Sequence, residues 1–431
     1  MKVLITGAAG FIGSHLAADL HNRGIRVVGA ARNVEAARSR LPHIQWIQCD
    51  FTKDSSEDWQ PRLEGFGAVI NCVGVLQDGL HENSRATHID GARALYKACR
   101  DADVRRVIHF SAVGVDDSAA SAYARDKLAG ERMLQPMDLD WVILRPSLVI
   151  ARNTHGGTTL IRWLCGLPWV TPIIGGDQVF RPIHVDDIAD TVNRMLSPRA
   201  VKRVSWDLGG PQEVTMSELV AAYRKWLGFG KSRIWNVPKW LAIPAFKIGD
   251  LLGWVGVQTP MRSAALAQLE HDVAGDPSEW LKETGANPRS LTACLEADVA
   301  GPQDRWYARL GFARPLARWA LGLFWLVTGL VSVTVSADPA RAMLAELGVA
   351  ESARAPLLWA TSLFDIMLGL AMVAKWRVGA VAGLMLLGSL GYVAALSWLA
   401  PGLWLDVLGP VTKLLPIMAL TLIIAATEDQ R

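Results

Sequence analysis

Two patterns of apolar and polar positions divide the chain. Over the first 150 residues, short apolar runs such as KVLIT, RVVGAA and AVINCVGV alternate with segments of helical period. Six runs of this kind predict six strands, and their alternation with helices predicts an α/β fold with a doubly wound parallel sheet. The first run belongs to MKVLITGAAGFIG, which is short, rich in glycine and followed directly by SHLAADLHNRG. We therefore interpret it as a strand and turn rather than as a signal peptide.

After residue 315 the short runs give way to long apolar stretches. They predict four helices of about 20 residues, the length that crosses a bilayer, at about 316–335, 357–374, 378–400 and 407–426. The third stretch, from Val378 to Ala400, contains no charged residue, which argues against a soluble domain with very apolar buried helices. The pattern predicts an all-α four-helix transmembrane bundle.

Basic residues predict the topology of this bundle. Four arginines precede or open the first span between residues 305 and 318, and Lys375 and Arg377 occupy the turn between the second and third spans. The other two connections have no excess of basic residues. Because such an excess marks the cytoplasmic side, we expect the N-terminal domain and both termini in the cytoplasm, in a multi-pass protein of a bacterial inner membrane.

Two ionisable residues interrupt the predicted spans. Asp365 falls in the second span and Lys413 in the fourth. An ionisable side chain at membrane depth is costly unless it is paired or hydrated. Two interpretations stay open: the two side chains face each other, or Lys413 extends to the interface while Asp365 stays protonated inside the bundle.

Composition narrows the classes of function. A length of 431 residues allows two or three domains, which we place at 1–150, 151–305 and 306–431. The net charge of +3 and the lack of a dense run of lysine and arginine argue against nucleic acid as a partner. The five cysteines form neither a CxxC pair nor a Cys/His cluster, so we predict no metal site.

A glycine-rich turn follows the first predicted strand. Gly7, Gly10 and Gly13, with Phe11 and Ile12 between the last two, open the first predicted helix. Glycines let the backbone turn tightly and approach a pyrophosphate, whose charge meets the free N–H groups of the helix N-terminus. Because this turn lies between a strand and a helix, it predicts a dinucleotide-binding site of the Rossmann type.

Residues after the next strands indicate which dinucleotide binds. An acidic side chain usually follows the second strand and selects an unphosphorylated ribose, but this chain has Arg32, which favours NADP. The alternative is a solvated surface arginine, with NAD as the cofactor. Asp50 and Phe51 after the third strand, and Val73 and Gly74 after the fourth, are expected to form the walls of the adenine and ribose sites.

A second motif, SAYARDK, places Tyr123 four residues before Lys127 between the fifth and sixth predicted strands. This spacing puts both side chains on one face of a helix. A phenol titrates near pH ~10, so it needs a nearby cation to exchange a proton at neutral pH. The spacing alone also arises by chance, and its position between these strands makes it informative.

Together these motifs resemble the short-chain dehydrogenase/reductase superfamily in its extended and atypical branches. TGAAGFIG, YARDK, HIDGARALYKACRDADVRRVIHFSA, LRPSLVIA, RPIHVDDIAD and WDLGGPQEVT occur in the family's order over about residues 1–300. The branch is similar to the nucleotide-binding accessory subunit of respiratory complex I, and the C-terminal spans resemble the DoxX-like membrane family. The resemblance implies that Tyr123 is the catalytic acid/base, that Lys127 binds the nicotinamide ribose, and that residues 151–305 form a small substrate lobe.

Two positions depart from the pattern of that family. Its members usually have a catalytic serine or threonine one or two residues beyond the serine of the fifth strand, whereas Ser111 is followed by Ala112 and Val113. His88 stands where the family has an asparagine that organises a proton-relay water, and a histidine can also hold a water. The resemblance thus implies only weak catalytic assistance by Ser111. It leaves open that the tyrosine and lysine chiefly hold the cofactor.

The predicted lobe contains two further features. In RPIHVDDIAD, His184, Asp186 and Asp187 resemble a metal site in composition only, and we interpret the carboxylates as helix caps that dock the lobe. Residues 234–266 mix tryptophans with lysines and prolines. They are either an amphipathic segment at a membrane interface or a lobe helix packed on the nucleotide domain.

The fusion of a nucleotide-binding unit to a membrane bundle suggests the substrate class. We expect an NAD(P)H-dependent oxidoreductase anchored in the lipid bilayer and acting on a lipid-soluble carbonyl or alcohol, such as a quinone, an isoprenoid or a sterol-like ketone. The alternative is a non-catalytic NADPH-binding sensor or assembly protein whose partner is a membrane protein complex.

Overall fold

The computed structural model describes residues 1–75, 83–117, 121–254, 273–407 and 409–428, together with residues 261, 263 and 266. The chain divides into two compact units, Met1–Ala308 and Arg309–Arg431.

The first unit contains the strands. They are β1 (Lys2–Thr6), β2 (Arg26–Ala31), β3 (Gln45–Gln48), β4 (Ala68–Asn71), β5 (Arg106–Phe110), β6 (Asp140–Pro146), β7 (Val149–Ile150), β8 (Val170–Ile173), β9 (Val179–Phe180), β10 (Ile183–His184), β11 (Val204–Leu208), β12 (Val214–Thr215) and β13 (Arg233–Asn236). Among the described residues, seven of them form one parallel sheet in the order β11-β6-β5-β4-β1-β2-β3. The doubly wound parallel sheet predicted from the sequence is confirmed.

Helices cover both faces of this sheet, with buried residues of α1 and α7 in one apolar cluster and of α4 and α5 in another. The helices of the first unit are α1 (Phe11–Asn22), α2 (Val34–Arg40), α3 (Ser56–Trp59), α4 (Ala92–Asp101), α5 (Ala122–Leu134), α6 (Gly157–Cys165), α7 (Val185–Met195), α8 (Met216–Trp226), α9 (Lys239–Trp254), α10 (Ser278–Thr284) and α11 (Leu291–Ala297), with a 3₁₀ turn at Pro61–Leu63 and a π-helix at Ala86–Gly91. Successive strand residues point to opposite faces, and accordingly Val3 and Ile5 lie in one apolar cluster while Leu4 lies in another. The central strands β1, β4, β5 and β6 are nearly continuous buried runs because both faces of the sheet are covered there.

All six strands predicted from the sequence are present, and β11 extends the sheet beyond them. It pairs with β6 through Trp206 opposite Leu144, so residues far beyond position 150 complete the sheet. The smaller two-stranded sheets pair β7 with β10, β8 with β13, and β9 with β12. A third apolar cluster, containing Ile161, Leu219 and Tyr223, forms the core of this lobe.

The second unit is helical. The helices at and after the boundary are α12 (Pro302–Val333), α13 (Ala337–Glu346), α14 (Glu351–Val373), α15 (Val378–Leu399) and α16 (Leu414–Thr427), with a 3₁₀ turn at Pro401–Trp404. Among the described residues, α12, α14 and α15 are long and apolar enough to cross a membrane. They contain most of the first three predicted spans.

The fourth predicted span, at 407–426, contains α16, which has 14 residues. At 1.5 Å per residue this helix is about 21 Å long, shorter than the ~30 Å of a bilayer core. A crossing at this position stays a prediction, and residue 408 lies outside the described residues. Residues 429–431, which end the C-terminus that we expect in the cytoplasm, also lie outside them.

The two ionisable residues of the spans do not pair with each other. The Tyr392 hydroxyl donates a hydrogen bond to Asp365 Oδ1 at 3.1 Å. Lys413 is exposed and immediately precedes α16. The interpretation that Asp365 and Lys413 face each other is therefore wrong, because Lys413 lies at a helix end and a tyrosine of α15 is the partner of the carboxyl group.

Candidate functional site

The glycine-rich turn connects β1 to α1 at the carboxyl edge of the sheet. Gly7 has a φ of +70°, a conformation that L side chains rarely adopt, and a Cβ there would lie 2.8 Å from the backbone of Cys72 and Val73. A Cβ on Gly13 would overlap the carbonyl oxygen of Gly7. The turn thus approaches the end of β4 on one side and the start of α1 on the other more closely than side chains at Gly7 and Gly13 would allow.

The N-terminus of α1 is open to a ligand. Its N-cap, Gly10, has no side chain to accept from the first N–H groups, and the first turn contains no acidic residue. Free N–H groups and the positive end of a helix dipole together bind phosphate. The glycine cradle and these donors fit the pyrophosphate of a dinucleotide. Phe11 and Ile12, the predicted contacts beyond the glycines, are the first two residues of this helix.

Residues at the ends of β2 and β3 lie on the side where the adenosine half is expected. Arg32 is exposed and directly follows β2. Asp50 accepts a hydrogen bond from the Thr52 hydroxyl at 2.8 Å and pairs with Lys53 at 3.2 Å. Phe51 is buried in the core beneath the sheet. Asp50 thus stabilises its own loop, and Phe51 supports the expected wall of the adenine and ribose sites from inside the core.

The end of β4 is fixed by a buried network that the sequence patterns did not reveal. Asn71 Oδ1 accepts from the Val73 N–H at 3.1 Å and from the Thr6 hydroxyl at 2.9 Å. The Asn71 amide donates to the Tyr96 hydroxyl at 2.8 Å, and that hydroxyl lies 2.7 Å from His109 Nδ1. The network joins β1, β4, α4 and β5 directly under the glycine turn.

The tyrosine and lysine of the second motif lie in the first half of α5. The hydroxyl of Ser121 caps this helix by accepting from the Ala124 N–H at 3.1 Å. Lys127 is 4% exposed, and its Nζ donates to the carbonyl of Phe110 at 2.9 Å. The same Nζ lies 5.6 Å from the ring centre of Tyr123. The helix therefore brings both side chains to the carboxyl end of β5.

A buried carboxylate supports the lysine. Burial lowers the pKa of Lys127 to about 8, although the negative charge of Glu131, one turn along α5, opposes this. Glu131 is fully buried, and both its oxygens are bound by the Arg145 guanidinium. Sequence reasoning did not assign Glu131, although its spacing of four from Lys127 was a usable signal.

Burial also raises the pKa of Tyr123. The phenol is therefore protonated at neutral pH in the absence of a ligand. In this state Tyr123 can give a proton but cannot take one.

The residues directly after β5 are Ser111, Ala112 and Val113. They lie at the carboxyl end of β5, to which α5 brings Tyr123 and Lys127. Ser111 is buried, and its hydroxyl has no hydrogen-bond partner among the described residues. The Val113 N–H donates to the carbonyl of Pro146 at 3.3 Å, and the position carries no hydroxyl. The catalytic assistance by Ser111 stays a prediction, and the two residues after it carry no polarising hydroxyl.

His88 lies in the π-helix at Ala86–Gly91, which packs closely on α5. Its Nε2 is 3.0 Å from the Val75 carbonyl oxygen, and its ring meets the ring of Tyr123 edge-on at 5.6 Å. A Cβ on Gly74 would lie 3.7 Å from this imidazole and 3.9 Å from Lys127 Nζ. Burial, together with the charge of Lys127, lowers the pKa of His88 to about 4. The neutral imidazole thus holds the loop after β4 through its Nε2.

The RPIHVDDIAD segment forms a docking cluster. The N-cap of α7 is His184, whose Nδ1 accepts from the Asp186 N–H at 3.3 Å, so the carboxylates are not the cap. Arg289 pairs with Asp186 at 2.9 Å, and its N–H donates to Asp187 at 3.0 Å. Among the described residues, no group of three or more His, Cys, Asp or Glu side chains is placed to hold a metal ion. The docking role is confirmed and the capping role of the carboxylates is wrong.

Comparison with known families agrees with this architecture. Residues 3–209 match the model of the NAD dependent epimerase/dehydratase family, and residues 322–422 match the model of the DoxX-like family. The first unit is therefore similar to the NAD dependent epimerase/dehydratase family, and the second unit is similar to the DoxX-like family.

Individual relatives are distant. The chain is 24% identical over 295 residues to the mitochondrial NADH-ubiquinone oxidoreductase 40 kDa subunit of Neurospora crassa, an alignment that covers 67% of this chain and 76% of the relative. It is 28% identical over 192 residues to the ceramide reductase of Caulobacter vibrioides, covering 43% of this chain and 58% of the relative. The resemblance to a complex I subunit is confirmed.

A solved structure shares the fold of the first unit. The UDP-glucuronic acid 4-epimerase from Bacillus cereus, in complex with UDP-glucuronic acid and NAD, superposes with a TM-score of 0.53 at 21% identity. The match covers 72% of this chain and 99% of that chain. At this identity the likeness establishes the fold alone.

Proposed function

We propose that the protein is a membrane-anchored NAD(P)H-dependent oxidoreductase that acts on a lipid-soluble carbonyl or alcohol. The observation that carries this proposal is the pairing of Tyr123 with the buried Lys127 beside the glycine turn. Lys127 Nζ is held 2.9 Å from the Phe110 carbonyl oxygen and 5.6 Å from the Tyr123 ring centre. An acid and a cation thus stand together at the edge of the sheet where the dinucleotide is expected.

Each side chain of the site has its own role in the proposed reaction. A bound nicotinamide dinucleotide would supply the hydride. Tyr123 gives a proton to the substrate oxygen during reduction, or takes one during oxidation. The Lys127 cation binds the ribose and favours the phenolate, and Ser111 assists weakly from its buried position. Asp50, Val73 and Gly74 contribute the walls of the site.

We assign NADP as the preferred cofactor because of Arg32. An exposed guanidinium directly after β2 can bind a 2′-phosphate with two hydrogen bonds. No carboxylate stands at this position to repel that phosphate or to select the unphosphorylated ribose. NAD remains the alternative.

The first unit presents an apolar surface that suits a lipid-soluble substrate. In α9, Ala242 and Phe246 are buried, whereas Trp240 is 71% exposed and Leu251 is 68% exposed. Lys247 lies on the same helix. This helix, from the predicted segment 234–266, therefore both packs in the lobe and presents apolar groups outward, as interfacial helices do. Residues 255–260, 262, 264 and 265, within that segment, lie outside the described residues.

Two further observations favour a lipid-soluble substrate. The chain carries apolar helices of bilayer length, and one of its relatives is a ceramide reductase. From the basic residues around the predicted spans, we place the nucleotide-binding domain and both termini in the cytoplasm of a bacterial cell.

The test removes a single hydroxyl. Full-length Tyr123→Phe is reconstituted in proteoliposomes with a lipid extract, and oxidation of NADPH is followed. General acid catalysis contributes about 10²–10⁴-fold, so turnover should fall at least ~100-fold while the Kd for NADPH stays unchanged. Tyr307→Phe, at a partly exposed position with its hydroxyl 2.8 Å from that of Thr154, is the matched control. Equal turnover by Tyr123→Phe and the wild type would refute the proposal.

A second candidate is an NADPH-loaded sensor or assembly protein of a membrane complex. It is favoured by the buried hydroxyl of Ser111, which has no partner within the described part of the chain, by the apolar residues after it, and by the relative in NADH-ubiquinone oxidoreductase. Purified protein would then contain stoichiometric NADPH that no lipid extract oxidises. Its membrane complex would persist in Tyr123→Phe, whereas rapid oxidation in an extract would exclude this candidate.

A further inference from the structure

Polar side chains are buried among the apolar helices of the second unit. We call them the bundle polar cluster: Trp325, Ser362, Asp365, Ser389 and Tyr392. Each of the first four is at most 7% exposed. The cluster draws on α12, α14 and α15, and it is separate in sequence from every residue assigned to the nucleotide site.

Helix geometry brings these residues together. Ser362 and Asp365 are three residues apart on α14, as are Ser389 and Tyr392 on α15, so each pair shares one helix face. The Tyr392 hydroxyl joins the two faces by donating to Asp365 Oδ1 at 3.1 Å.

Glycines let the third helix approach. A Cβ on Gly329 of α12 would lie 2.6 Å from the Ser362 carbonyl oxygen and 3.1 Å from Asp365 Cβ. A Cβ on Gly388 of α15 would lie 3.3 Å from the Trp325 ring. The close packing of α12 on α14, and of α15 against Trp325, therefore depends on these two positions.

Two members of the cluster lack a partner. Ser389 is 1% exposed and Trp325 is 4% exposed, and neither the hydroxyl of Ser389 nor Trp325 Nε1 has a hydrogen-bond partner among the described residues. A bilayer core offers no water to satisfy such groups. An indole N–H can only donate, whereas a carboxyl group has acceptor sites beyond the one that Tyr392 uses.

We infer that the bundle polar cluster binds the hydroxyl group of a neutral, lipid-soluble alcohol or phenol. A hydroxyl can accept from Ser389 or from Trp325 and can donate to Asp365, which a carbonyl or a hydrocarbon cannot do. The ligand is neutral because the surrounding core side chains, including Leu321, Leu368 and Met385, are apolar. The inference does not rest on the proposed function, since no residue of the nucleotide site takes part.

A matched pair of probes tests the inference. The full-length protein in lipid nanodiscs is photolabelled with a diazirine-bearing long-chain alkylphenol or with its O-methyl ether, which partitions similarly but cannot donate. Labelled peptides of α14 and α15 are quantified by mass spectrometry over a titration of each probe. The phenol should half-saturate labelling at a concentration at least ~tenfold lower than the ether, as expected for one hydrogen bond made inside a bilayer.

The deciding variant is Ser389→Ala, because it removes no hydrogen bond within the described structure and should fold as the wild type does. It should weaken phenol labelling about tenfold, and Asp365→Leu should abolish the preference for phenol over ether. Thr421→Val is the control, since Thr421 is buried in the same unit but its hydroxyl bonds to its own helix at Ile417. Equal labelling by phenol and ether, or unchanged phenol labelling in Ser389→Ala, would overturn the inference. If Asp365→Leu does not fold, Ser389→Ala alone decides.

Discussion

Replacing Gly13 with alanine should impair dinucleotide binding while the fold survives. The added Cβ would overlap the Gly7 carbonyl oxygen and lie 2.8 Å from the Gly7 carbonyl carbon. Since carbon atoms pack best at about 3.5–4.0 Å, the turn and α1 must separate by about 0.7 Å. This movement displaces the N–H groups at the start of α1 that we assign to the pyrophosphate.

The magnitude follows from hydrogen-bond geometry. An N–H···O bond keeps its atoms within about 2.7–3.2 Å, so a shift of about 0.7 Å removes at least one bond to the phosphates. A hydrogen bond to a charged group contributes about 1.5–3 kcal/mol, and its loss raises the Kd roughly 10- to 150-fold. The strain of about 1–3 kcal/mol is partly offset by the gain of about 1 kcal/mol from alanine in a helix.

The assay is calorimetric titration of the purified full-length protein with NADPH and with NADH, accompanied by thermal melting without cofactor. Gly157→Ala is the matched control, because Gly157 also lies in the first turn of a helix but a Cβ there would meet nothing within 4 Å. The Kd should rise for Gly13→Ala and stay constant for Gly157→Ala. An unchanged Kd in Gly13→Ala would refute the assignment of this turn to the pyrophosphate.

Three further substitutions test the charges around the site. Arg32→Asp should reverse the preference for NADPH over NADH by more than about tenfold, measured as the ratio of the two Kd values, whereas an unchanged ratio would show that Arg32 is a surface residue. Lys127 has its pKa lowered to about 8 by burial, so its charge is lost as pH rises through that value. The Kd for NADPH should then increase above pH 8 in the wild type and stay flat in Lys127→Met. His88 has a pKa lowered to about 4 by burial, against 6.5 when unfolded, so the unfolded chain binds more protons between these values. The His88 contribution to stability should fall by on the order of 3 kcal/mol as pH drops from 6.5 to 4. Melting of His88→Gln should show a correspondingly weaker pH dependence, with the part due to the buried His109, whose pKa is also lowered by burial, retained.

Sequence patterns predict those parts of the fold that local chemistry determines. The strand, the glycine turn and α1 are specified within the first 22 residues, because the continuous apolar run of β1 and the φ > 0 at Gly7 are local requirements. The position of Lys127 follows from the spacing of the motif. The edge strand β11 escaped prediction because only Trp206 and Leu208 of its five residues are fully buried.

Contacts between distant residues explain what the sequence did not reveal. The bond from Asn71 to Tyr96 spans 25 positions, and the bond from Tyr392 to Asp365 spans 27. Neither follows from a local period, because each depends on how one element is rotated against another. The same is true of His88, whose partner at Val75 is set by the packing of the π-helix.

With the roles that we propose for Tyr123 and Lys127, the described geometry favours reduction as the direction of the reaction. Oxidation of an alcohol requires Tyr123 to start as a phenolate, yet burial raises its pKa and the lysine charge is engaged by the Phe110 carbonyl. Reduction requires only the protonated phenol, which is the form present at neutral pH. Glu131, by stabilising the Lys127 cation, keeps a positive charge ready to receive the phenolate after the proton has left. Such a site suits NADPH as the hydride donor, because reduction uses the protonated form of Tyr123 and the reduced form of the expected cofactor.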